Sequence, residues 1–282
     1  MTRELKKVWF ITGASKGFGL LLVKQLLEKG QAVAATSRSL HDLQQLIAPN
    51  ENFLPLEMDL VNEANVKLAI DKTIATFGRI DTVVNNAGYG LLGALEELTD
   101  AEARHNFDVN VFGSLNVIRQ ALPHLRQQQS GHIFNISSIG GYTGDFPGFG
   151  IYCATKFAVI GFTEALAAET KAFGIKVTAV LPGYFRTNFL SSGSLVTSKN
   201  QLDDYPETRA SQELHQKKID NNQPGDPEKG VAAIIAMAAT ENPALHLFLG
   251  SDAYDTAKKK ASAIGAELDQ WKAISVATDF DA

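Results

Sequence analysis

Cysteine is almost missing from this chain of 282 residues: Cys153 stands alone, which excludes an internal disulfide framework and fits a reducing compartment. Long apolar runs are missing too, and no stretch approaches the roughly 18 consecutive apolar residues of a membrane span. Met1-Thr-Arg-Glu-Leu-Lys-Lys7 enters the first apolar segment without a signal core. A cytoplasmic location with no membrane partner is therefore expected. Nor is there an excess of basic charge, since a formal net charge of −5 and a pI near 5.7 leave no footprint for nucleic acid. Internal repeats and low-complexity tracts are absent. Gln127–Gln129 and Lys258–Lys260 are short biased runs that read as solvated turns or helix faces. No metal site is expected.

What is present is an alternation. With 45% hydrophobic and 20% charged residues, the chain can bury a sizeable core, and strand and helix patterns follow one another without a linker to about residue 190. Strands are expected near residues 7–12, 32–37, 53–58, 80–85, 131–137, 175–181 and 245–249. Helices are expected over Leu20–Lys29, Leu40–Ile47, Glu63–Phe77, Asp100–Gln127, Tyr152–Phe173 and Pro227–Ala239. Right-handed crossovers of this kind build an α/β fold, a single Rossmann-type doubly wound parallel sheet with helices on both faces. One domain spans 1–282: a core over 1–183, a polar, irregular segment over 184–230 that reads as a substrate lid, and a last crossover, strand and C-terminal helix over 231–282.

Chemistry collects at the strand ends. Val8–Ile11 leads into Thr12-Gly-Ala-Ser-Lys-Gly-Phe-Gly19 and then an amphipathic stretch, which reads strand, glycine turn, helix. Gly13 permits the turn, Gly17 lets backbone approach a phosphate, and Gly19 lets the helix pack closely, with an anion at the helix N-terminus. The spacing is GxxxGxG and not GxGxxG. Asn85-Asn-Ala-Gly88 and Asn135-Ile-Ser-Ser138 close two further strands with amides and hydroxyls. Tyr152 and Lys156 lie four apart, on one helix face. A fixed cation beside a phenol stabilises the phenolate, bringing proton exchange with a carbonyl oxygen within reach near neutral pH.

Together, TGxxxGxG, NNAG, a serine before YxxxK, and Pro182-Gly183 after the next strand resemble the classical short-chain dehydrogenase/reductase family, in order from about Lys7 to the Pro-Gly turn. The resemblance implies seven strands in the order 3-2-1-4-5-6-7. It also implies a catalytic set of Asn110, Ser138, Tyr152 and Lys156, in which Ser138 binds the substrate carbonyl and Lys156 also holds the nicotinamide ribose. Asn110 would kink its helix and hold a water leading to Lys156. Ser138-Ile-Gly-Gly141 matches the family's S-x-[AG]-G pattern, leaving Ser137 the structural partner. Tyr152 follows Ser138 by fourteen positions, where family members usually show thirteen. An extra residue in the glycine-rich loop 142–150 explains this better than the alternative register, which would put Ile139, without a hydrogen-bond donor, in the serine's place.

The same resemblance places a dinucleotide against Gly13, Ser15, Lys16, Gly17, Phe18, Gly19, Ser37, Arg38, Asp59, Leu60, Asn86, Ala87, Gly88, Tyr152, Lys156, Pro182, Gly183 and Thr187. Asp59 would meet the adenine amino group unless it only caps the next helix. The second strand ends in Thr36-Ser-Arg38, with no acid to bind a ribose 2′-hydroxyl. Arg38, with Lys16 and Ser37, suits a 2′-phosphate instead, so NADP(H) is expected. Phe146, Phe149, Tyr184, Phe185 and Phe189 are candidates to wall an apolar substrate pocket, and Tyr254–Ile274 is similar to the terminal helix of hydroxysteroid or retinol dehydrogenases. Cys153 reads as a small packed residue. The expected activity is hydride transfer between NADP(H) and a carbonyl or secondary alcohol, in a homodimer or homotetramer formed through the Asp100–Gln127 and Tyr152–Phe173 helices. Two other readings are a cofactor-binding regulatory protein, though such members typically lose the tyrosine, and an epimerase or dehydratase, whose TGxxGxxG loop is absent here.

Overall fold

A computed structural model describes residues 6–191 and 194–280. Most of the N-terminal heptapeptide, on which the expectation about a signal segment rests, lies outside them. The elements run β1 (Val8–Ile11), α1 (Gly17–Glu28), β2 (Ala32–Ser37), α2 (Leu40–Leu46), β3 (Phe53–Glu57), α3 (Glu63–Phe77), β4 (Thr82–Asn85) and β5 (Gly90–Leu92). There follow α4 (Asp100–Phe107), α5 (Gly113–Gln128), β6 (Gly131–Ile136), α6 (Gly150–Thr170), β7 (Ile175–Pro182) and β8 (Leu195–Thr197). The chain closes with α7 (Pro206–Glu213), α8 (Pro227–Ala238), β9 (His246–Leu249) and α9 (Ser251–Val276).

Seven strands form one parallel sheet in the order β3-β2-β1-β4-β6-β7-β9. This is the expected 3-2-1-4-5-6-7 once β5 and β8, which pair only with each other, are set aside. Every residue of β1 and β4 is buried, as a strand covered on both faces requires. Apolar stripes on α3, α5 and α6, including Ile70, Val117, Leu125 and Leu166, cover one face. Leu22 and Leu26 of α1, Leu43 of α2, and Val231 and Ile234 of α8 cover the other.

Three departures from the sequence reading matter. First, the helix expected as continuous over Asp100–Gln127 is interrupted by a π-helical turn at Asp108–Phe112, which contains Asn110, the residue the family resemblance implied would kink it. Second, the segment expected to be irregular carries secondary structure: β8 pairs with β5, and α7 continues into a π-helical turn at Leu214–Ile219. Third, the helix from Gly150 to Phe173 is long and apolar enough to cross a membrane by length and composition. Here it lies on the sheet, burying Val159, Ile160, Thr163 and Leu166 together with Tyr152 and Lys156.

Candidate active site

The carboxyl ends of the parallel strands open into a cleft of about 770 Å³. At its base the turn after β1 takes φ of +65° at Gly13 and +54° at Gly17, in the left-handed region where a Cβ is strained. A Cβ on Gly13 would stand 2.8 Å from the Cα of Ala87, and one on Gly19 would strike the carbonyl of Gly13. Gly19 therefore closes α1 against the turn and Asn86, not against its strand. The N-terminus of α1 has no side-chain cap and no acidic residue in its first turn, so its backbone N–H groups face the cleft unneutralised. Asn86 ties the base together, its amide donating to the carbonyls of Thr12 at 2.9 Å and Gly13 at 3.0 Å. Both donors of that amide are thus used within the protein, and Asn86 shapes the cradle more than it offers a ligand contact.

Lys16 and Arg38 meet at one edge of the cleft. Partial burial lowers the Lys16 pKa, and the positive charge of Arg38 lowers it further. Two cations held within range of each other, both lining the cleft with Ser37, form a field suited to a dianion. Asp59 accepts the backbone N–H of Val61 at 3.1 Å. It does not cap α3, where Asn62 takes that position and accepts from Asn65.

Across the cleft stand the phenol and the ammonium. Tyr152 and Lys156 are buried on α6, with Nζ 5.8 Å from the ring centroid and donating to the carbonyl of Ile136 at 2.9 Å. The Ser138 hydroxyl beside the phenol favours its ionised form, but burial outweighs it and raises the Tyr152 pKa. This corrects one expectation, because Lys156 is not what dominates the phenol in this structure. Lys156 itself is lowered to about 8 by burial. Ser138, not Ile139, meets Tyr152, and Ser137 donates to the carbonyl of Lys156 at 2.9 Å, bracing α6. Between Ser138 and Tyr152 the chain runs through the 3-10 turn Ile139–Gly141 and the loop over 142–149.

Asn110 sits behind the cleft. Its amide donates to Tyr89 O and to Thr155 Oγ1, both at 3.0 Å, and its Oδ1 accepts from Tyr89 N at 3.0 Å. Thr155 Oγ1 passes the connection on to the carbonyl of Tyr152 at 2.7 Å. The π-helical turn thereby fixes the loop after β4 to α6, a use of a helix irregularity that recurs at functional sites. All the other residues assigned to cofactor or catalysis line the cleft, with Gly19 the second exception.

The five aromatic candidates line it as well, but not alike. Phe146, Phe149, Tyr184 and Phe189 pack with Leu92, Leu190 and Tyr152 in one apolar cluster. Phe185 instead meets Phe18 edge-on at 5.1 Å and belongs to the core beneath α1 and α8. Cys153 is buried beside them, and burial pushes its thiol up to about 11, so it is a packed and unreactive group. Sequence reasoning missed His215 and Gln223, buried polar residues of the segment over 184–230 that also line the cleft.

The short chain dehydrogenase family model matches residues 7–194. The chain belongs to that family. This oxidoreductase is 38% identical over 248 residues to the 3-ketodihydrosphingosine reductase of Bacteroides thetaiotaomicron, covering 86% of this chain and 88% of the relative. It is 34% identical over 276 residues to an oxidoreductase of Botryotinia fuckeliana, covering 97% and 100% respectively. Among solved structures, a short-chain dehydrogenase from Streptomyces avermitilis superposes with a TM-score of 0.90 at 38% identity, over 98% of this chain and 100% of that one. A Burkholderia cenocepacia short-chain dehydrogenase in complex with NADP gives 0.72 at 26% identity, covering 94% and 97%. The 3-ketoacyl-(acyl-carrier-protein) reductase of Brucella melitensis, complexed with NADH, gives 0.71 at 25%, covering 86% and 96%. Structural neighbours thus hold either dinucleotide. None of these relatives is named as a hydroxysteroid or retinol dehydrogenase, and the C-terminal resemblance to that branch stays an expectation.

Proposed function

We propose that this chain is an NADP(H)-dependent oxidoreductase that reduces a carbonyl group on an apolar substrate, or oxidises the corresponding secondary alcohol. The observation that carries the reading is one cleft lined by Lys16 and Arg38 and also by Ser138, Tyr152 and Lys156. The residues fit a phosphorylated dinucleotide: two glycines at positive φ, at one of which, Gly13, a Cβ would meet Ala87, an uncapped helix N-terminus, and two cations where β2 ends without an acid.

When bound, the nicotinamide supplies or takes the hydride. The protein's share is positioning and proton management. Ser138 holds the substrate oxygen beside the phenol, stabilising the charge that develops on it. Tyr152, kept protonated by burial, gives its proton to that oxygen in reduction and takes it back in oxidation. Lys156 holds the ribose hydroxyls and, charged, favours the phenolate as it forms. Asn110 keeps the loop after β4 and α6 in register. The segment over 184–230 closes as a lid over the apolar cluster, which excludes water from the reacting atoms.

A cytoplasmic protein without membrane or nucleic-acid partners is part of this reading. So is a homodimer or homotetramer through α4, α5 and α6, on which Phe112, at the π-helical turn, and Phe157 are exposed. The test is a panel of apolar ketones and alcohols with all four nicotinamide cofactors. Consumption of NADPH with ketones, well above that of NADH, supports the reading. Turnover with NADH alone, or with neither, contradicts it.

A further inference from the structure

Tyr184 and His215 form a hydrogen-bonded pair in the apolar end of the cleft. Tyr184 follows the Pro182-Gly183 turn, and its backbone N–H is held by the Asp252 carboxylate at 2.7 Å. His215 comes from the π-helical turn after α7. Its Nδ1 lies 2.7 Å from the carbonyl oxygen of Ser211, which can only accept, so Nδ1 carries the proton. Its Nε2, 2.8 Å from the Tyr184 hydroxyl, is then the acceptor, and the tyrosine donates. Burial lowers the His215 pKa, which keeps the ring neutral and this direction in force. The Tyr184 proton is therefore committed to histidine, and what the hydroxyl turns to the cleft is a lone pair. Tyr184 also lies close enough to Tyr152 to raise its pKa, so the pair stands near the reacting phenol.

An acceptor without a matching donor, set in an apolar wall, selects a ligand that brings a proton. Resting on the reductase reading, we propose that Tyr184, oriented by His215, forms a hydrogen-bond-accepting subsite that selects carbonyl substrates carrying a hydroxyl or amino group near the carbonyl. A buried acceptor left unpaired costs more than the bond it would make, so the subsite discriminates against plain ketones as well as attracting hydroxylated ones.

The test compares a straight-chain ketone with its hydroxylated analogue of the same chain length, with NADPH, in the full-length protein and in Tyr184→Phe. The ratio of the two kcat/KM values is the readout, because it cancels any effect common to both substrates. The wild-type protein should favour the hydroxylated ketone by about tenfold, and Tyr184→Phe should lower that ratio by about 3- to 10-fold, the scale of one neutral hydrogen bond. Equal use of both ketones by the wild-type protein, which needs no variant to observe, overturns the subsite alone. A parallel loss on both substrates in Tyr184→Phe, with the ratio intact, also overturns it and makes the pair a brace of the lid. Failure of the wild-type protein to reduce either ketone with NADPH contradicts the reductase reading itself.

Discussion

Replacing Lys156 by methionine should stabilise the cofactor-free protein at neutral pH and destabilise it at high pH. Lys156 is 5% exposed, and its pKa falls from 10.5 to about 8 because burial disfavours the ammonium. The folded pKa lies below the unfolded one, so the unfolded chain binds more protons between pH 8 and 10.5. Stability contributed at this site therefore rises with pH over that window, the penalty being full below pH 8 and gone above 10.5. At about 1.4 kcal/mol for each pH unit of displacement, the penalty at pH 7 is on the order of 3 kcal/mol. Methionine removes it but leaves the carbonyl of Ile136 without its 2.9 Å donor, a loss of about 1–3 kcal/mol. The variant should thus be more stable at pH 7 by up to about 2 kcal/mol, less stable above pH 10, and inactive throughout. Urea unfolding of both proteins at intervals from pH 7 to 10.5 measures the difference. A stability difference constant across that range would show that the folded pKa of Lys156 is not depressed and would remove the buried-ammonium argument.

Tyr152→Phe should lower turnover by about 10²–10⁴, the range of lost general acid–base catalysis, with NADPH affinity largely kept as read by fluorescence titration. Arg38→Ala should weaken NADPH binding by about 1.5–3 kcal/mol, the scale of a charged hydrogen bond, while leaving NADH nearly unaffected; equal losses by calorimetry would remove the 2′-phosphate assignment. Glu97, fully buried, accepts the N–H groups of Ala94 and Leu202 and pairs with Arg209 of α7. Arg209→Met strands that carboxylate, so chemical denaturation should show a loss of about 2–4 kcal/mol. Hydrogen exchange over 194–230 should slow further when substrate joins cofactor; an unchanged pattern would reduce the segment to surface decoration.

The sheet was legible because most of its strands are short apolar runs closed by glycine, amide or hydroxyl, and a strand buried on both faces, as β1 and β4 are, leaves that mark in any sequence. The crossover helices read equally well where one face is apolar. What could not be read has physical reasons. β5 and β8, three residues each, are too short to show a period. The kink at Asn110 was expected only from the family resemblance, because its π-helical form goes with that amide's bonds to Tyr89 and Thr155, which no local propensity records. Glu97 and Arg209 look like solvated charges until β5 and α7 come together. His215 drew no notice because its role depends on Tyr184, brought to it by the return of the chain over the cleft. Tyr152 was legible as a residue and not in its electrostatics, since burial, a property of the whole fold, outweighs its neighbours.

The most direct test of the central claim is NADPH oxidation driven by an apolar ketone, in the wild-type protein, Tyr152→Phe and Arg38→Ala, each repeated with NADH. The account predicts turnover that needs the Tyr152 hydroxyl and prefers NADPH, with that preference alone lost in Arg38→Ala. Undiminished turnover in Tyr152→Phe under conditions where chemistry limits the rate, or a wild-type preference for NADH, would contradict it.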